Sequence, residues 1–125
     1  MSEIKDGRPV VYAPDRSVWR QWLAENGNTE EGAWLVIYHK KSKVPSINLN
    51  DAVEEALCYG WIDSKANGKD YESFYLTFTP RNPKKSNWSK TNIERAERLI
   101  KNGQMTQQGM KMIEIAMEQG AWPMK

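Results

Sequence analysis

Ala56-Leu57-Cys58-Tyr59-Gly60-Trp61-Ile62-Asp63-Ser64 joins the end of a helix to the start of a strand, and it carries an unusual mixture of side chains. Upstream, Asn48 is suited to cap a helix over 48–57, Asp51 falls in its first turn, and Leu49, Val53, Ala56 and Leu57 recur on one face. Gly60 is the stop signal, because glycine enters the left-handed region without a Cβ clash. Trp61 then launches a strand over 61–66, with Trp61, Asp63 and Lys65 on one face and Ile62, Ser64 and Ala66 on the other. An aromatic ring, a carboxylate and an ammonium on one face depart from an ordinary core.

Downstream, Asn67-Gly68 followed by Lys69-Asp70 predicts a hairpin into a second strand over 71–79. Phe74, Leu76 and Phe78 alternate with Tyr75, Thr77 and Thr79, the pattern of an antiparallel strand with one buried face. Pro80 closes it. A proline-pinned loop through Arg81, Ser86 and Trp88 leads to a helix capped by Ser86 or Ser89, with Ile93, Ala96, Leu99 and Ile100 facing inward and Gly103 at its end. Thr106 caps a last helix. Met105 and Met110 have the spacing of a hydrophobic staple, Ile113, Ala116 and Met117 continue the stripe, and Gly120 stops it. Trp122 is expected to pack back.

Outward in the other direction, 33–38 reads Ala-Trp-Leu-Val-Ile-Tyr, a central strand that runs into His39, Lys40 and Lys41. Before it, Asp15 or Ser17 caps a helix with the stripe Val18, Trp19, Trp22 and Leu23, ended by Asn26-Gly27. The two tryptophans read as core. The first 14 residues read as an arm or an edge strand, because 9–13 is a short extended run bounded by prolines. These elements predict one α+β domain over residues 1–125. Its sheet is small and mainly antiparallel, with the hairpin at its centre, about four packed helices and the last two as a C-terminal pair.

Composition limits the chemistry. A net charge of +2 and a pI near 8.6 are too mild for affinity built on phosphate-backbone neutralisation. One cysteine excludes an internal disulfide, and one histidine leaves no His/Cys zinc cluster, so neither a metal nor a cofactor is expected. The N-terminus lacks an apolar signal region and no run approaches the ~20 apolar residues of a membrane helix, which predicts a cytoplasmic protein.

Convergence of the Trp61 strand with the loop after the hairpin predicts one pocket lined by Lys40, Lys41, Trp61, Asp63, Arg81, Ser86, Trp88 and Asn92. Arginine supplies a planar fork for a carboxylate or phosphate, tryptophan a flat wall, and Ser86 and Asn92 orienting hydrogen bonds. A small anionic ligand follows, bound rather than transformed. Three other readings remain open. Trp88 in its loop is suited to anchor a protein partner, and Asp63, or Cys58 with His39, to act in an enzyme. The central lysines with Trp61 or Trp88 would suit weak nucleic-acid binding. The oligomeric state is left open.

Glu54 to Ser64, Pro80-Arg81, Ser86-Asn87-Trp88-Ser89-Lys90 with Asn92, and Gly103-Gln104-Met105 with Gly109 together resemble the YdeI/OmpD-associated family, labelled bacteriocin-protection proteins. The likeness takes in Trp34, Lys40 and Lys41 and spans roughly residues 18 to 120. It implies a bacterial stress or antimicrobial-tolerance role and carries no reaction or ligand with it. Asn82 stands where that family pairs a second arginine, and Gln104 where it often has arginine, so positive charge is reduced here.

Overall fold

The computed structural model describes residues 3–84 and 88–122. Helix α2, Leu49–Cys58, starts where Asn48 accepts a hydrogen bond from the Asp51 N–H at 2.8 Å. Gly60, at φ 76°, turns the chain into strand β4, Trp61–Gly68. β4 and β5, Ser73–Pro80, form the antiparallel hairpin. Its turn is held by Asp70, whose Oδ1 accepts from the N–H groups of Glu72 and Ser73 and from the Ser73 hydroxyl.

One expected face is broken. Asp63 pairs with Phe78, but the next core-side pair is Ala66 with Leu76, so β4 carries a bulge. Ala66 thereby takes the place that strict alternation assigns to Lys65.

The central strand is β3, Ala33–Tyr38, antiparallel to β5 and parallel to β2, Arg8–Tyr12. Strand β1, Glu3–Lys5, lies outside β2, and the sheet order is β1-β2-β3-β5-β4. Two expectations are corrected. The β4–β5 hairpin forms an edge rather than the centre, because β3 pairs with β5 and leaves β4 with one neighbour. The run over 9–13 contributes an interior strand, since β1 folds back on it through Asp6-Gly7, both at positive φ (52° and 77°), the conformation of a tight two-residue hairpin turn.

Helix α1, Arg16–Asn26, is capped by Asp15 and buries Trp19 and Leu23. Together with α2 it packs on the sheet face that carries Ala33, Leu35, Ile37, Leu76 and Phe78. Helices α3, Lys90–Lys101, and α4, Gln107–Glu118, form the C-terminal pair, capped by Ser89 and Thr106. They enclose a second cluster of Ala96, Ile113, Ala116 and Trp122, so Trp122 does pack back. α4 approaches the end of α2 closely: a Cβ on Gly109 would lie 2.6 Å from the Cys58 carbonyl oxygen, which explains glycine there. The domain is α+β, with four helices among the described residues. None of these helices is long and apolar enough to cross a membrane.

Candidate functional site

Arg81 follows β5, and its N–H donates to the Gly60 carbonyl at 2.9 Å, so the residue after the hairpin is tied to the turn before β4. Its side chain is only 3% exposed. The guanidinium carbon lies 3.7 Å from the centroid of the Trp88 ring, a contact worth about 2 kcal/mol or more when desolvated. Trp122 meets Trp88 edge-on at 5.2 Å. Burial pushes the Arg81 pKa down to about 10, with the Asp63 carboxylate pulling it back. On the same indole, Nε1–H is buried and finds no acceptor among the described residues. Arg81, Trp88 and Asp63 therefore do come together. Arg81 and Trp88 bring positive charge and an indole donor out of water, chemistry suited to an oxyanion, with the Asp63 carboxylate offsetting part of that charge.

The remaining predicted site residues have other partners. Trp61 pairs with Pro80, the residue before Arg81, and borders a small cleft beside Gly60, but it is 1% exposed, packs edge-on against Trp22 at 5.8 Å and donates Nε1–H to the Gly27 carbonyl at 3.1 Å, so most of its ring is committed to the core. Lys40 and Lys41 follow the end of β3 that pairs with Ser73, whereas Arg81 follows the other end of β5. At about 3.4 Å per residue, β5 separates them by roughly 24 Å. Asn92 accepts from Arg95 at 3.0 Å, and Arg95 also donates to Asn50, so Asn92 belongs to the α2–α3 contact. Ser86 lies outside the described residues, and Ser89 provides the helix cap. Trp88 is half-buried with its ring turned onto Arg81 and Trp122, which withdraws it from the role of an exposed anchor.

The enzyme reading loses its thiol–imidazole pair. Cys58 ends α2 and is fully buried, while His39 stands by the first turn of that helix, about 14 Å away at 1.5 Å per residue. Burial, reinforced by the Glu55 charge, raises the Cys58 thiol to about 11, against the pull of Arg20. A protonated, enclosed thiol is a poor nucleophile.

A charged layer escaped the sequence reading. Glu54 and Glu55, on α2, are 4% and 2% exposed. Arg16 donates to Glu55 at 2.7 Å and to Glu54 at 3.1 Å, Arg20 to Glu55 at 2.9 Å, and Arg98 to Glu54. Arg20 also donates to the Gln104 carbonyl at 2.8 Å. The available signal was a Glu-Glu pair inside an apolar helix together with arginines four apart at 16 and 20. The layer joins α1 and α3 to α2 and satisfies its own charges, so it reads as a pin between helices.

It also sets an acid limit. Burial drives the Glu54 pKa up, but the hydrogen bonds and charges of Arg98 and Arg16 outweigh it and hold the carboxyl below its ordinary 4.5. In Asp70 the backbone N–H of Glu72 and the Ser73 hydroxyl lower the pKa from 3.8 to about 2. A carboxyl with a depressed folded-state pKa binds its proton more weakly when folded, so its contribution is full above about pH 4.5 and fades as pH falls through the folded value. Urea unfolding between pH 5 and pH 2 is expected to show falling stability, with a shallower fall in Glu54→Gln. An unchanged slope in that variant would remove Glu54 from the acid limit.

No curated protein and no solved structure matches the chain. A model for a domain of unknown function, DUF8412, matches residues 11–112, from β2 into α4, which takes in the sheet from β2 onward, Arg81, Trp88 and the charged layer. The chain therefore belongs to the DUF8412 family.

Proposed function

We propose that the domain binds a small anionic molecule at Arg81 and Trp88 and acts through binding rather than catalysis. The observation that carries this is the guanidinium buried against the Trp88 ring, whose own N–H has no acceptor among the described residues. A carboxylate or phosphate oxygen there would meet a cation and an indole donor in one water-poor place, where charge-assisted hydrogen bonds are strong. The motif resemblance supports placing this binding in bacterial antimicrobial tolerance.

The test pairs thermal unfolding with the Trp88 indole N–H resonance, assigned by its loss in Trp88→Phe, across phosphate, phosphosugars, nucleotides and small carboxylates. A ligand at ~100-fold over its dissociation constant is expected to stabilise the fold by about 2.7 kcal/mol and to shift that resonance. Trp88→Phe keeps an aromatic face and deletes the donor. One hydrogen bond to a charged group is worth about 1.5–3 kcal/mol, so affinity is expected to fall about tenfold or more. Stabilisation that leaves the Trp88 resonance unmoved would sink the proposal.

A further inference from the structure

At the opposite end of the sheet, where β3 runs out beside the first turn of α2, a cleft of about 530 Å³ opens. Its size falls within the range of small-molecule sites, and it lies at the carboxyl end of β3, which with β2 forms the parallel pair. Ile37, Phe74 and Leu49 give it an apolar lining, and His39 and Lys40 stand on its rim. The His39 and Phe74 rings lie 5.4 Å apart, tilted by 31°, and together give the cleft an aromatic wall.

Leu49 is 50% exposed at the first position of α2, although its spacing assigns it to the buried stripe. Lys41 and Lys43 continue the positive charge on the exposed loop. In the same first turn of α2, the Asp51 carboxylate is engaged by Arg16 at 3.2 Å. Aromatic wall, exposed leucine and ammonium rim describe one kind of ligand.

We infer that this cleft binds a flat aromatic molecule carrying an oxyanion, either a carboxylate or a phosphate monoester. The ring lies between the His39–Phe74 wall and Leu49, and the charged head meets Lys40. This site is independent of Arg81, which lies beyond the far end of β5.

Titration calorimetry with naphthoate and naphthyl phosphate tests it, with cyclohexanecarboxylate as the non-aromatic control. Wild type is expected to bind at least one of the two aromatic anions, the tighter of them identifying the head group, and to bind the control about tenfold more weakly. Lys40→Ala is expected to weaken the aromatic anions about tenfold or more, the loss of one charged hydrogen bond. Leu49→Asp is expected to abolish binding while preserving the fold, because residue 49 is half exposed and a carboxylate suits the first turn of a helix. Failure of both aromatic anions to bind wild type, or equal binding by Leu49→Asp, would overturn the inference. Loss of binding in Arg81→Lys with Lys40→Ala unaffected would overturn it as well, and move these anions to the Arg81 site.

Discussion

Trp61→Ala is expected to lose about 3–5 kcal/mol of stability, the usual cost of truncating a buried aromatic ring to a methyl. The ring is 1% exposed, packs on Trp22, and holds the Gly27 carbonyl after the end of α1, so its removal leaves both a cavity and an unpaired acceptor. Against a total of about 5–15 kcal/mol for a domain, that is enough to populate the unfolded chain. Urea unfolding followed by far-ultraviolet circular dichroism measures it. Trp61→Phe, which retains most of the ring volume, should recover the larger part of the loss. A Trp61→Ala protein that unfolds like wild type but no longer binds anions would return Trp61 to the ligand site.

Glu55→Ala is the second large effect, expected at about 2–3 kcal/mol. Removing one partner of a fully buried ion pair costs about 3–5 kcal/mol, because the other charge is stranded in low dielectric. Arg16 and Arg20 keep roughly a third of their side chains in solvent, so both can rehydrate, which reduces the penalty. What remains is the cavity of the carboxylate and the loss of two charge-assisted hydrogen bonds between α1 and α2. Combining Arg20→Ala with Glu55→Ala should cost less than the sum of the two single losses, since each already removes the shared contact. Strict additivity in that cycle would show that Arg20 and Glu55 act separately.

The two variants separate what was legible in the one-dimensional chain from what was not. The helix boundaries at Asn48, Gly60, Gly103, Thr106 and Gly120 were readable, and Ser89 as one of two candidates, because caps and left-handed glycines act within a turn of where they stand. Strand β3 and the existence of β5 were readable for a similar reason, since side-chain period is a local property, but the single buried face expected of β5 was not found, because Thr77 is as buried as Leu76. The Asp6-Gly7 turn is equally local and marks β1, the edge strand, whereas the prolines at 9 and 14 suggest an arm or edge strand for the run that the structure places inside the sheet.

The candidate site was legible only in part. Arg81, Trp88 and Asp63 converge as their motifs suggest, but Trp61 is drawn into the core and Lys40 and Lys41 are carried to the far end of the sheet. Residue types announced the chemistry available, and neither type nor spacing states which end of a strand faces which. That follows from β3 running antiparallel to β5, a pairing between residues about forty positions apart.

By itself, then, the sequence determined an α+β fold, its helices with their ends, its central strand and its hairpin, because backbone conformation responds to neighbours a few residues away. Tertiary structure alone decided the sheet order, the bulge that displaces Lys65, the burial of Glu54 and Glu55 under arginines from two other helices, and the separation of Lys40 from Arg81. Those outcomes depend on which surfaces meet when distant segments pack, and the energies that settle them come from desolvation and contact across the fold rather than along the chain.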